Sequence, residues 1–284
     1  MKCYLCNGTT FKTRPGIVRD NHKIKVIECS QCGLVTLSDF SHISPKHYEL
    51  GKMHELDNTI EDWLKETDSD DQRRFEMFKS KITGKNLLDF GCGNAGFLNK
   101  TKFYTKNSNG IELEERVLKF YEKSDLKIWN SINDIILNSK TRYDIITSFH
   151  VFEHLENPIE ILKSLIPLMN KDGEIIIEVP NSDDALLTLY NNEPFRNFTY
   201  WSQHLFLFNQ HTVVDLIKKS GLTLNWVKQI QRYSLSNHLY WLSNGKPGGH
   251  KKWNFFNDNR LDIEYASQLA SIGKCDTLMF SVSI

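Results

Sequence analysis

Asn86-Leu87-Leu88-Asp89-Phe90-Gly91-Cys92-Gly93-Asn94-Ala95-Gly96 decides how this chain is read. Leu87 and Leu88 read as the end of a buried strand, with Asp89 following. Glycines at 91, 93 and 96 then carry the backbone round to Phe97 and Leu98, the first apolar residues of a helix. A strand that turns into a helix through glycines brings main chain close to a ligand. It also aims the free N–H groups of the helix start at that ligand. Nucleotide-type ligands bind at such turns, on the carboxyl edge of a parallel sheet. A glycine-rich turn alone is common to many loops, so the reading rests on its neighbours.

The first neighbour is Ser108-Asn109-Gly110-Ile111-Glu112, read as the end of the next strand. Glu112 lies 19 residues after Gly93, where an acid can accept both hydroxyl hydrogens of a ribose. Tyr143-Asp144-Ile145-Ile146-Thr147-Ser148-Phe149-His150 is an apolar strand entering a loop. Gly173 to Asn181 is another, ended by Pro180.

In order and spacing these stretches resemble the class I S-adenosylmethionine-dependent methyltransferases. Asp89-Phe90-Gly91-Cys92-Gly93 is similar to the family's first motif, and Gly110-Ile111-Glu112 to its acidic second. Tyr143 through Glu153-His154-Leu155 is similar to its fourth. The resemblance covers about Lys85 to Gly221. Ala95 departs from the family's frequent glycine by one methyl. The resemblance implies an α/β fold: a Rossmann-like, seven-stranded, mostly parallel sheet. It assigns cofactor contacts to Asp89, Gly91, Cys92, Gly93 and Glu112, and to Ser131 near the adenine. Ser148, Phe149 and His150 fall beside the methyl-transfer position. A dinucleotide-binding domain is the weaker alternative, because Cys92 and the Glu153-His154 pair are methyltransferase-like details.

Lys+Arg equals Asp+Glu at 35 each, so no net field favours nucleic acid or an anionic membrane. No apolar run reaches the ~18 residues that span a bilayer. Met1 to Gly8 lacks the apolar core of a signal peptide. The expectation is a cytoplasmic protein without nucleic-acid or membrane partners.

Cys3-x-x-Cys6 and Cys29-x-x-Cys32 form two knuckles in the first 40 residues. Each can offer two thiolates to one tetrahedral zinc, and four cysteines leave no open position, so the ion would be structural. Disulfides are disfavoured in a cytosolic chain. Cys92 and Cys275 read as core residues, and Ile24 to Glu28 as a hairpin strand. Expected domains are a zinc ribbon at 1–40, a helical linker and lid at 41–85, and the catalytic core at 86–284.

A four-cysteine module before such a core is similar to sugar methyltransferases with an N-terminal zinc-binding domain. That resemblance implies a small-molecule sugar acceptor, nucleotide-linked or part of a surface-polysaccharide precursor. The deoxysugar C-methyltransferases among them carry a large further domain, so O-methylation is expected here; the alternatives are C-methylation of a keto-sugar, another acceptor such as a lipid-linked glycan or a quinone-like phenol, and a zinc-ribbon binding module with an inactive core. It also implies a lid before the first core strand, in which Tyr48, Arg73 or Arg74 meets cofactor or substrate. Arg73 is the candidate for the methionine carboxylate. Asp68-Ser69-Asp70-Asp71 reads as a helix start. His150-Val151-Phe152-Glu153-His154 matches H-x-x-E-H, a zinc-protease pattern, but it sits between strand and helix. Its two other readings are a divalent-ion site with a later histidine, and a pinned loop, which is preferred. Asn191 to Phe208 is polar, aromatic and long for a connection. Within it His204 precedes Leu205-Phe206-Leu207-Phe208 and is the expected general base, since an alcohol attacks a sulfonium methyl only as its proton leaves. Arg196, Tyr200 and Trp201 are candidate sugar contacts. Leu222–Gln231 and Thr277–Ile284 should finish the sheet, with a glycine- and lysine-rich loop at 244–252 between them.

Overall fold

The computed structural model describes residues 1–43, 49 and 59–284. The turn expected at 44–48, with Tyr48, lies outside the described residues. Eleven strands are described, forming two sheets. The larger has the order β10-β11-β8-β7-β4-β5-β6. In chain order these are β4 (Asn86–Phe90), β5 (Asn107–Ile111), β6 (Lys127–Trp129), β7 (Tyr143–Phe149), β8 (Met169–Pro180), β10 (Thr223–Ile230) and β11 (Thr277–Ser283). Only β11 runs against the rest; it pairs antiparallel with both β8 and β10. The central strands are largely apolar because helices cover both faces. Leu87, Leu88, Ile145, Ile146 and Ile175 to Ile177 are at most 3% exposed. This is the seven-stranded, mostly parallel α/β sheet that the motifs imply.

The smaller sheet joins the N-terminal strands to a segment far along the sequence. β1 (Phe11–Thr13), β2 (Val26–Cys29) and β3 (Val35–Leu37) form an antiparallel meander. Its fourth strand is β9 (Phe206–Leu207), which pairs with β3. The first 40 residues therefore share a sheet with the segment that follows His204.

One helix, α1 (Ile60–Ile82), spans the region expected to hold a break at Asp68-Ser69-Asp70-Asp71. No glycine or proline interrupts Thr59 to Thr83, and the N-cap is Thr59, whose side chain accepts from the Asp62 amide. The four residues lie mid-helix, where Asp71 joins the inward stripe of Ile60, Arg74, Phe75, Phe78 and Ile82. The region between β10 and β11, read as a loop at 244–252, is largely helical: Leu235–Asn244, Gly249–Lys252 and Asn259–Ser271.

Candidate active site

β4 delivers Asp89 and Phe90 to the carboxyl edge of the sheet, and the turn beyond it is tied down by its own main chain. The Gly91 and Cys92 amides both donate to the Ile111 carbonyl, at 2.9 and 3.0 Å. Gly91 sits at φ +71° and Gly93 at φ +52°, which glycine adopts without steric cost. A side chain on Gly91 would also stand 2.5 Å from Val151, so the turn packs directly on the loop after β7. Ala95 takes φ +57° as N-cap of the helix Gly96–Thr101. Its departure from glycine is thus more than an added methyl: left-handed backbone costs a non-glycine residue about 1 kcal/mol.

Beyond the turn lies a cavity of about 740 Å³, roofed by α1 and floored by the carboxyl edge. Asp89, Gly91, Cys92, Gly93, Glu112, Ser131, Phe149, His150 and His204 all line it. Glu112 Oε2 accepts the Gly93 amide at 2.8 Å, and Oε1 accepts those of Leu113 and Glu114 at 2.7 and 3.0 Å. Burial raises its pKa, against the pull of these amides. Asp89 is 3% exposed, and the Thr147 hydroxyl donates to it at 2.7 Å. Burial pushes its pKa up to about 7, more than that hydroxyl can offset. A buried carboxylate facing a cavity with so little compensation suits a cationic ligand. S-adenosylmethionine carries a sulfonium and an ammonium, so the donor set fits it: Asp89 toward positive charge, Glu112 toward a diol, and Phe97 and Phe149 as apolar walls.

Two expected residues stand elsewhere. Ser148 is fully buried in the sheet and donates to the Phe90 carbonyl at 3.0 Å. Arg73 lies outside the lining, bonded to Asp70 at 3.1 Å and Glu178 at 2.9 Å. The next residue, Arg74, reaches the cavity, but its guanidinium is held by Glu178 at 2.6 Å and Asp71 at 3.4 Å, over the Phe149 ring. Among the substrate candidates Trp201 lines the cavity; Arg196 and Tyr200 do not, nor does any residue of 244–252. Trp63, Thr67 and Arg232 line it without having been singled out in the sequence. Arg232 is held by Asp70 of α1, and its guanidinium stands 3.1 Å from His150 Nε2. Nothing local distinguishes it from any arginine after a strand.

At the far end the loop after β7 gathers polar side chains. His150 takes φ +56°, and its amide donates to the Glu178 carbonyl at 2.8 Å. Its ring lies 3.2 Å from both Glu153 and Glu178. Burial and Arg232 lower the His150 pKa, but the two carboxylates outweigh them and raise it. Glu153 is fully buried; despite that, the His150 bond and the neighbouring histidines hold its pKa down at about 2. His154 Nδ1 donates to the Gln203 carbonyl at 2.8 Å, which directs Nε2 inward. Ligand atoms of Glu153, His154 and His204 all lie within 4.8 Å of one another. His150 is outside that group, so the protease-like pattern does not assemble as a metal triad. His204 is the expected base; burial, then the adjacent His154, push its pKa down to about 3.

Away from the cavity, Cys3 and Cys32 sulfurs stand 3.5 Å apart, as do those of Cys6 and Cys29, and all four lie within 4.8 Å. No cysteine is disulfide-bonded. A tetrahedron with bonds of about 2.3 Å has edges of about 3.8 Å, so these sulfurs suit one zinc ion. The Gly8 amide donates to Cys6 Sγ at 3.4 Å, as expected around a thiolate.

The family model described as "Methyltransferase domain" matches residues 62–225. A ubiquinone biosynthesis O-methyltransferase of Hydrogenovibrio crunogenus is 24% identical over 185 residues, covering 58% of this chain and 77% of that protein. One from Actinobacillus pleuropneumoniae is 30% identical over 112 residues, covering 35% and 47%. Among solved structures, the plantazolicin methyltransferase BpumL in complex with SAH has a TM-score of 0.50 at 18% identity, covering 78% of this chain and 88% of that one. A chain from the complex of the Haloferax volcanii Trm112 methyltransferase activator with a methyltransferase also has a TM-score of 0.50, at 10% identity, covering 80% and 98%. At these identities both show a shared fold.

Proposed function

Because this chain belongs to the methyltransferase-domain family and is an S-adenosylmethionine-dependent methyltransferase, we propose that it methylates a hydroxyl oxygen of a sugar, nucleotide-linked or within a surface-polysaccharide precursor. The observation that carries this is one continuous cavity, running from Glu112 and the glycine turn to the Glu153–His154–His204 group. Cofactor at the first end would present its methyl toward the second. The reaction then needs an in-line oxygen and somewhere for its proton to go. His204 is the proposed acceptor of that proton. It is neutral at physiological pH and so free to accept, and Glu153 favours the imidazolium that forms, against burial and His154, which oppose it. His150 is less suited, since two carboxylates favour its protonated form. Trp201, beside His204 with ring centroids 5.4 Å apart, offers a stacking face for a sugar ring. The sugar class rests on the likeness of the four-cysteine module plus core to sugar methyltransferases. The module itself is proposed to hold a structural zinc.

Two observations favour a second reading, O-methylation of a phenol. The curated relatives are named for ubiquinone biosynthesis. Glu153 Oε2 is buried without a hydrogen-bond partner beside two neutral imidazoles, a donor set suited to a divalent ion that would lower a phenol's pKa.

Release of S-adenosylhomocysteine against a panel of nucleotide-linked hydroxy sugars, keto sugars and a catechol separates these. Turnover of a hydroxy sugar that survives chelation and is lost in His204→Ala, with cofactor affinity intact, is the expected result. Turnover of the catechol alone, abolished by chelation, would replace the sugar by the phenol. Turnover of a keto sugar would require product NMR to separate methylation at carbon from methylation at oxygen.

A further inference from the structure

We propose that the N-terminal four-cysteine module positions the acceptor side of the active site, by holding the segment 200–207 that carries Trp201 and His204. This rests on the reading that Trp201 and His204 face the acceptor. The geometry is a clamp made almost entirely by main-chain groups of that segment. On one side β3 pairs with β9, Thr36 opposite Phe206 and Val35 opposite Leu207. The Leu205 carbonyl accepts both the Thr36 hydroxyl, at 2.8 Å, and the Leu37 amide, at 3.2 Å. On the other side Asp20 accepts the Ser202 amide at 3.0 Å and its hydroxyl at 2.6 Å. His42 Nε2 donates to the Ser202 carbonyl at 2.7 Å, and the Arg19 amide to that of Tyr200 at 2.9 Å. The Arg19 guanidinium lies 4.6 Å over the Trp201 ring.

His204 stands between these two sets of bonds, and the segment's remaining freedom is small. A two-residue strand such as β9 holds no register by itself. Its register comes from β3, and β3 starts where the second knuckle ends: the Cys29 amide donates to the Leu34 carbonyl at 2.9 Å, closing the turn that launches Val35. The cysteine cluster thereby fixes a strand edge, the edge fixes β9, and β9 with Asp20 fixes His204 against Glu153 and His154. None of these bonds reaches Glu112, Asp89 or the glycine turn. The module should act on acceptor turnover and leave cofactor binding alone.

The test compares Asp20→Ala and Thr36→Val with Asp20→Asn and Thr36→Ser. Hydrogen exchange of the 200–207 peptide, affinity for S-adenosylhomocysteine, and kcat and KM for the acceptor found by the panel are the readouts. Expected are faster exchange confined to 200–207, unchanged cofactor affinity, and kcat/KM for the acceptor lower by about 10- to 100-fold, the usual effect of misplacing a group by an ångström. The conservative pair should recover most of it. Unchanged exchange in 200–207 would overturn the clamp. Faster exchange with wild-type kcat and KM would overturn its role in turnover. The exchange and affinity arms need no acceptor, so they stand even if the acceptor proposed above is wrong. If Asp20→Ala fails to fold, Thr36→Val carries the test, with Thr36→Ser as its control.

Discussion

Glu112 and Asp89 divide the cofactor end between them. Glu112 holds three loop amides and faces the cavity as an acceptor. Glu112→Gln removes the charge and half the acceptors at similar size. It should weaken binding of S-adenosylmethionine by about 10-fold, close to one charge-assisted hydrogen bond. Calorimetry showing an unchanged dissociation constant would remove its ribose role. For Asp89 the prediction concerns pH. Its folded pKa is raised to about 7 without ligand, and a cationic ligand favours the ionised form. Binding should release a proton near neutrality, and affinity should fall as pH drops through about 7. Calorimetry in buffers of different ionisation enthalpy reads that proton directly; no proton release would mean that Asp89 does not meet positive charge. These two acids were legible because motif position alone names them. His204 was legible as a residue but not in its pKa, which depends on burial and on His154, a neighbour fifty positions earlier.

At the scale of elements, α1 is the roof of the site and is fastened through Glu178 at the end of β8. Glu178 is fully buried and meets both Arg73 and Arg74. Arg74→Met should cost about 3 kcal/mol of stability, near the low end for breaking a buried pair because Arg73 and His150 remain. Thermal or urea unfolding checks this, and a loss under 1 kcal/mol would contradict it. Burial opposes ionisation of Glu178, but Arg74 and the other cations hold its pKa well below the usual range. A carboxylate with depressed folded pKa contributes stability that is complete above its unfolded value, about 4.3, and is lost as pH falls below it. The roof should therefore loosen in acid. The sequence allowed either arginine to face inward, because the choice depends on helix phase. Expecting a helix start at Asp68 divided the stripe that runs along one 23-residue helix from Ile60 to Ile82 and turns Arg74, and not Arg73, toward the core. The glycine turn was readable because its signal is local. The pairing of β3 with β9 was not, since two residues carry no periodicity and their partner lies 170 positions away.

For the whole molecule, the N-terminal strands and the segment after His204 meet in one sheet, which ties the four-cysteine module to the segment that carries Trp201 and His204. Cys29→Ser should release the proposed zinc, measurable as lost metal per chain, and lower the melting temperature of the whole protein; unchanged metal content would contradict a zinc site there. The most direct test of the central claim follows the methyl group itself. The enzyme is incubated with S-adenosylmethionine labelled with ¹³C in its methyl and with the acceptor that the panel identifies, and the product is read by NMR. The account predicts the labelled carbon bonded to a hydroxyl oxygen of the acceptor. A labelled methyl bonded to carbon would contradict it.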